Sequence, residues 1–272
     1  MDGNVLLALG LTLFAGLATG LGSLIAFFTS RTNTKFLSVA LGFSAGVMIY
    51  VSLIEIFVKA KDALTAELGT TTGYWYTIIG FFSGMLLIAL IDKFIPQKNN
   101  PHEVRTVEDV NAVAPTKVTD ADRLMKMGTF TALAIAIHNF PEGIATFISA
   151  MQDPNVGIAI AIAVAIHNIP EGIAVAVPIF YATGVRMKAF KLSFLSGLAE
   201  PVGAIVAYLI LMPFLTNTMF GIVFAAVAGI MVFISIDELL PAAKKYDETH
   251  LSVYGFIAGM VVMAVSLLLL GS

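Results

Sequence analysis

The chain has 272 residues, 58% hydrophobic and only 12% charged, with mean hydropathy +0.92 and formal net charge −3. About a quarter of an average soluble domain is charged, so this composition cannot coat a globule of this size and excludes a soluble or disordered chain. Zero cysteines exclude a disulfide-built secreted domain, no basic excess points to nucleic acid, and an integral membrane protein remains.

A helix crosses the hydrocarbon with about 20 apolar residues. Eight stretches qualify in chain order: 5–28, 36–58, 75–95, 127–150, 156–181, 190–212, 217–240 and 252–270. The runs are continuous rather than alternating, so helices are expected and not barrel strands. The first has no basic residue before it and is longer than the apolar core of a signal peptide, so it reads as a span. Between spans 3 and 4 lies the only long polar segment, Pro96 to Met125, charged and without hydrophobic periodicity. It reads as a mobile cytoplasmic loop, and its His102 as a solvated side chain or a metal sensor.

Lys and Arg sort by side. Alternate loops hold 13 of the 15: Arg31, Lys35, Lys93, Lys98, Arg105, Lys117, Arg123, Lys126, Arg186, Lys188, Lys191, Lys244 and Lys245. The other side holds Lys59 and Lys61. The basic loops face the cytoplasm by the positive-inside rule, which puts both termini outside it.

Three internal repeats follow. Span 1 has Gly16-Leu17-Ala18, then Gly22 and Ala26; span 6 has Gly197-Leu198-Ala199, then Gly203 and Ala207. Span 2 from Ala45 to Glu55 and span 7 from Ala228 to Glu238 both fit A-G-x-M-x-x-x-S-x-x-E. Span 3 has GFFSGM from Gly80, and span 8 GFIAGM from Gly255. Small-residue packing motifs can converge, but three successive pairs agree in order. Spans 1–3 and 6–8 therefore read as two copies, inverted because five crossings separate them, as in secondary transporters.

Spans 4 and 5 repeat each other as well. AIHNFPEGIA from Ala136 and AIHNIPEGIA from Ala165 share nine of ten positions. His138 and Glu142 are four apart and Asn139 and Glu142 three apart, so all three share a helix face; His167, Asn168 and Glu171 repeat this. Each helix thus presents an imidazole, an amide oxygen and a carboxylate at mid-membrane, where ionisable groups are costly. Pro141 and Pro170 free the carbonyls of Ile137 and Ile166, which then need another partner. Imidazole with carboxylate suits Zn2+, Fe2+ or Mn2+. Span 6 adds Glu200, where its copy has Thr19. A carboxylate present in one copy only points to a site. The alternative is an interhelical clamp of His–Glu hydrogen bonds, but the duplicated H-N-x-P-E-G with Glu200 exceeds what a clamp requires.

These residues resemble the ZIP (Zrt/Irt-like) family of divalent metal transporters, most closely its bacterial zinc-uptake branch. The resemblance rests on the paired HNFPEG and HNIPEG signatures and covers nearly the whole chain. It implies a 3+2+3 arrangement of eight transmembrane helices: a first repeat in 1–95, a cytoplasmic loop in 96–125, a metal-binding pair in 126–181 and the inverted repeat in 182–272. It also implies two bridged metals, one on His138, Glu142, His167 and Glu171, the other on Asn139, Glu142, Asn168, Glu171 and Glu200. Movement of zinc, iron and manganese across the inner membrane toward the cytosol is implied, with proton coupling and an elevator-like motion proposed for the family. Helix 5 lacks the second histidine common in eukaryotic members, and the loop is not His-rich.

Glu55 is expected near the outer end of span 2, to capture metal, and Asp237 or Glu238 near the inner end of span 7, to release it. Ordinary interfacial charge is the alternative. Met48, seven residues before Glu55, reads as a soft accessory ligand or, with its repeat partner Met231, as packing. An intramembrane metalloenzyme and a proton- or sodium-coupled exporter are competing readings; the first lacks HExxH and an asymmetric base. The expectation is therefore a transporter and not an enzyme, with no cofactor. Its partners are a divalent metal as cargo and the lipid bilayer, with a homodimer left open.

Overall fold

A chain in hydrocarbon must satisfy its N–H and C=O groups within its own segment, and this one does so as helix. The computed structural model describes residues 3–28, 34–94, 118–214, 216–245, 247 and 249–270. They form eight helical rods. They are α1 (Gly3–Phe28), α2 (34–68), α3 (Thr70–Phe94), α4 (Val118–Gln152), α5 (Pro154–Thr183), α6 (186–214), α7 (217–245) and α8 (Leu251–Leu270). Seven of them, all but α4, are long and apolar enough to cross a membrane. The chain is a multi-pass membrane protein.

Three rods change winding along their length. α2 passes through a π-helical stretch, Val51–Ile56, α6 through Ala207–Leu211, and α7 through Ser235–Leu239. The first and third fall on the repeated Ser-x-x-Glu, at Ser52 to Glu55 and Ser235 to Glu238. One extra residue per turn re-aims the side chains that follow, and such stretches are frequent at functional sites.

Helix ends follow local chemistry. Gly69, with φ 79°, ends α2. At the start of α5, the Asp153 carboxylate accepts from the amides of Asn155 at 2.9 Å and Val156 at 3.4 Å, with Pro154 in the first turn. Thr216 caps α7 by accepting from the amide of Met219 at 3.1 Å.

Close packing is set where glycines meet carbonyls. Gly22 of α1 lies against the carbonyl of Ile169 in α5, and Gly203 of α6 against that of Phe140 in α4. Gly172 meets the carbonyl of Thr19, and Gly143 that of Glu200. Each pair of contacts is related by the offsets already seen in the sequence. Both crossings are parallel, as alternating crossings require of rods 1 and 5 and of rods 4 and 6: the pattern, 22 on 169 with 172 on 19, recurs between α2 and α8 as 42 on 252 with 255 on 39. α2 and α8 run parallel, with Gly42 against Ser252 and Gly46 against Phe256.

The main apolar cluster, including Val51, Phe147, Ile160, Phe224 and Ile234, draws buried residues from all eight rods. Apolar residues also cover the outside, among them Trp75, Phe82 and Leu86 on α3 and Leu268 and Leu269 on α8. A soluble fold would cover that surface with charge; this one presents it to lipid.

Several expected boundaries shift. α2 continues to Leu68 rather than ending near 58, and α7 to Lys245 rather than 240. α4 begins at Val118, so the end of the expected loop is helical. At 35 residues α4 is about 52 Å long, well beyond the hydrocarbon core. Residues 96–117, with His102, lie outside the described residues, as do the residues at both ends of the chain, 1–2 and 271–272.

Candidate metal centre

α4 and α5 pass through Pro141 and Pro170 as continuous helix. The carbonyls expected to be freed belong to Ile137 and Ile166, which line two apolar grooves on the outside of the pair. One groove also includes Phe140 and Pro141, the other Ile169. The polar face lies elsewhere on each helix, as the i, i+4 spacing requires.

On that face His138, Asn139, Glu142, His167, Asn168 and Glu171 are all buried. Glu142 Oε1 lies 3.2 Å from His138 Nε2 and 3.3 Å from His167 Nε2. Glu171 Oε1 lies 3.4 Å from His138 Nε2 and 4.0 Å from His167 Nε2. One donor atom from each of His138, Glu142 and His167 lies within 4.8 Å of the other two. Two imidazole nitrogens thus converge on one carboxylate oxygen.

Glu200 comes from α6. Gly143, next to Glu142, has no side chain, so the Glu200 backbone packs directly on α4. The Glu200 side chain is fully buried, and its Oε1 accepts from Asn168 Nδ2. The same amide donates to the carbonyl of Ala15 in α1 at 2.9 Å. With Nδ2 so engaged, Asn168 Oδ1 has no hydrogen-bond partner among the described residues. The same holds for Glu142 Oε2, Glu171 Oε2, Glu200 Oε2, His167 Nδ1 and both amide atoms of Asn139. Buried polar atoms are normally paired, and leaving one bare costs about 1–3 kcal/mol. An excess of bare acceptors around two imidazoles suits a cation better than a self-satisfied clamp.

The remaining candidates fall apart from one another. Glu238 lies beside the centre, its Oε2 4.0 Å from His138 Nδ1. Its expected place is toward the inner end of its span, but α7 runs on past it to Lys245. Asp237, next to it, is exposed. Glu55 is half-buried within α2 and pairs with Lys59 at 2.8 Å, one turn on. Met48 is fully buried in the main apolar cluster, as is Met231. The closeness of Glu238 to His138 and the π stretches were not foreseen. The repeated Ser-x-x-Glu was their only trace in the sequence.

The fold and the site define a multi-pass membrane protein whose buried His/Glu face suits a divalent cation. A model of the ZIP zinc transporter family matches residues 96–267, and the chain belongs to this family. It is similar to the protein named zinc transporter ZupT of Lysinibacillus sphaericus (strain C3-41), 81% identical over 270 residues, covering 99% of this chain and 100% of that one. The ZupT of Oceanobacillus iheyensis is 73% identical over 267 residues, covering 98% and 99%. That of Clostridium perfringens (strain 13 / Type A) is 61% identical over 275 residues, covering 98% and 96%. Family membership makes the chain a transporter and not an enzyme, which sets aside the hydrolytic reading of the cluster.

Proposed function

We propose that this chain carries zinc, and with it iron and manganese, across the inner membrane into the cytoplasm through a two-metal centre. One metal is held by His138, Glu142, His167 and Glu171. The other is held by Asn139, Glu142, Asn168, Glu171 and Glu200, with the two glutamates bridging. The observation that carries the reading is the buried Glu142 Oε1, 3.2 and 3.3 Å from two imidazole nitrogens on different helices. The zinc named in the relatives' descriptions supports the choice of cargo.

The donor set is imidazole and carboxylate without cysteine. Such a set takes first-row divalent ions without the grip of thiolates, and a transporter must release what it binds. Metal and protons compete for the same His and Glu atoms, so loading expels protons and unloading can recover them. Paired glycine–carbonyl contacts support a 3+2+3 plan in which α1–α3 and α6–α8 are inverted copies around α4 and α5. Exchange of shape between such copies opens a central site to each side in turn.

Radiotracer uptake of Zn2+, Fe2+ and Mn2+ into proteoliposomes tests this, with wild type beside Glu142→Ala and Glu171→Ala. Wild type takes up all three ions and both variants lose uptake. Wild-type rates in both variants would sink the proposal.

A further inference from the structure

α4 carries a line of oxygen atoms that the metal centre does not absorb. Glu142, Thr146 and Ser149 stand at i, i+4 and i+7, one per turn along a single face of α4, and Asp153, the cap of α5, follows in the turn. The line runs from the centre to the α4–α5 turn, where Asp153 is half-buried. Thr146 and Ser149 are completely buried, and neither hydroxyl has a hydrogen-bond partner among the described residues.

Several other buried hydroxyls of this chain are paired, although Thr19, Ser44 and Ser52 also lack a partner among the described residues. A serine or threonine inside a helix ordinarily returns its proton to a carbonyl three or four residues back. Thr12 does so to Ala8 and Leu9, Thr77 to Gly73 and Ser235 to Met231. Ser23 and Ser196 do so to Gly20 and Ser193. Thr146 and Ser149 have the same carbonyls within reach and do not use them.

The repeat adds a second, independent contrast. Across the near-identical α4 and α5 motifs, the positions equivalent to Thr146 and Ser149 are Val175 and Pro178. Packing alone would accept the same residue types in both copies. Since α4 and α5 run in opposite directions, the hydroxyls mark one side of the centre only, the side of the α4–α5 turn.

We propose that Thr146 and Ser149 form the approach by which a partly hydrated divalent cation passes between the α4–α5 turn and Glu142. This rests on the reading of the His/Glu cluster as the transport site. Neutral hydroxyl oxygens exchange readily with a cation's water and hold it weakly, which suits passage rather than storage.

The test uses Thr146→Val, Ser149→Ala and the double variant in proteoliposomes, with Glu142→Ala alongside. The double variant lowers kcat/KM for zinc uptake several-fold, while its equilibrium zinc binding in detergent stays at the wild-type level. If Glu142→Ala abolishes uptake and the double variant transports like wild type, this inference fails alone. If Glu142→Ala transports normally, the transport-site reading fails with it. The chain contains no cysteine, so Thr146→Cys and Ser149→Cys add a measurement independent of folding losses. A membrane-impermeant thiol reagent modifies both during turnover when added from the α4–α5 turn side, Ser149→Cys faster. No modification from that side overturns the proposal.

Discussion

Glu142 is the residue on which the centre turns, because one of its oxygens faces both imidazoles. Glu142→Gln keeps the volume and removes the charge. Loss of an outer-shell partner alone costs about 10–100-fold in metal affinity. Loss of this carboxylate is expected to cost at least that, as titration calorimetry of the purified protein with zinc will show. Affinity unchanged within a factor of two would remove Glu142 from the ligand set. The polar faces of α4 and α5 were legible in the sequence because duplication is a pattern and i, i+4 spacing is a geometry. Glu200 was legible for the opposite reason, as the place where duplication breaks against Thr19. The position of Glu238 beside His138 was not. A stretch such as Ser235–Leu239 adds a residue to one turn, and the repeated Ser-x-x-Glu alone does not say so.

At the scale of the helix, two kinds of contact hold the elements that carry the site. The first is glycine against carbonyl. A Cβ on Gly172 would fall on the carbonyl oxygen of Thr19, so Gly172→Ala must push α1 away from α5. Overpacking of this kind costs about 1–3 kcal/mol. Thermal unfolding in detergent should show a lowered midpoint for Gly172→Ala and none for Gly10→Ala, where nothing lies within 4 Å of the added carbon. Equal midpoints for the two would mean that the crossing is loose. The second contact is a cap outside the spans. The Asp247 carboxylate accepts from the amides of Leu251 at 2.8 Å and of Thr249 and Ser252 at 2.9 Å, and from the Ser252 hydroxyl. The Ser252 hydroxyl first, then these amides, hold its carboxyl well below the usual aspartate range. A depressed carboxyl stabilises the fold above its ordinary pKa of about 3.9, and this contribution is lost as pH falls through the lower folded-state value. Asp247→Ala should therefore speed amide exchange at Leu251 and Ser252 at neutral pH, with the difference from wild type narrowing below pH ~4. A pH-independent difference would assign the effect to something other than the carboxylate. Caps such as Asp153-Pro154 can be seen in a sequence, since residue type and place coincide. The reach of α4 back to Val118 could not, because its first turns lack the apolar periodicity that marks a span.

For the whole molecule, the number and order of the rods followed from hydropathy, which is a one-dimensional property. Which rods are neighbours did not, because that depends on where glycine meets carbonyl across the chain, as Gly42 meets Ser252 and Gly22 meets Ile169. Orientation belongs to this scale and rests on charge. Eight crossings would return the chain to the side on which it began. The loops after the first, third, fifth and seventh rods, with the helix ends that flank them, hold 13 of the 15 Lys and Arg residues, and the opposite side holds Lys59 and Lys61. Basic residues near span ends are retained in the cytoplasm during insertion, and Asp and Glu weigh little in that decision. The net charge of −3 is therefore irrelevant to it. Both termini should lie outside the cytoplasm, and so should the α4–α5 turn. A C-terminal alkaline phosphatase fusion, which folds only outside, should be active, and a C-terminal fluorescent-protein fusion exported unfolded should be dark. A bright fluorescent fusion would reverse the orientation. It would place Thr146 and Ser149 on the exit side of the centre and make Glu238 a group of the entry side.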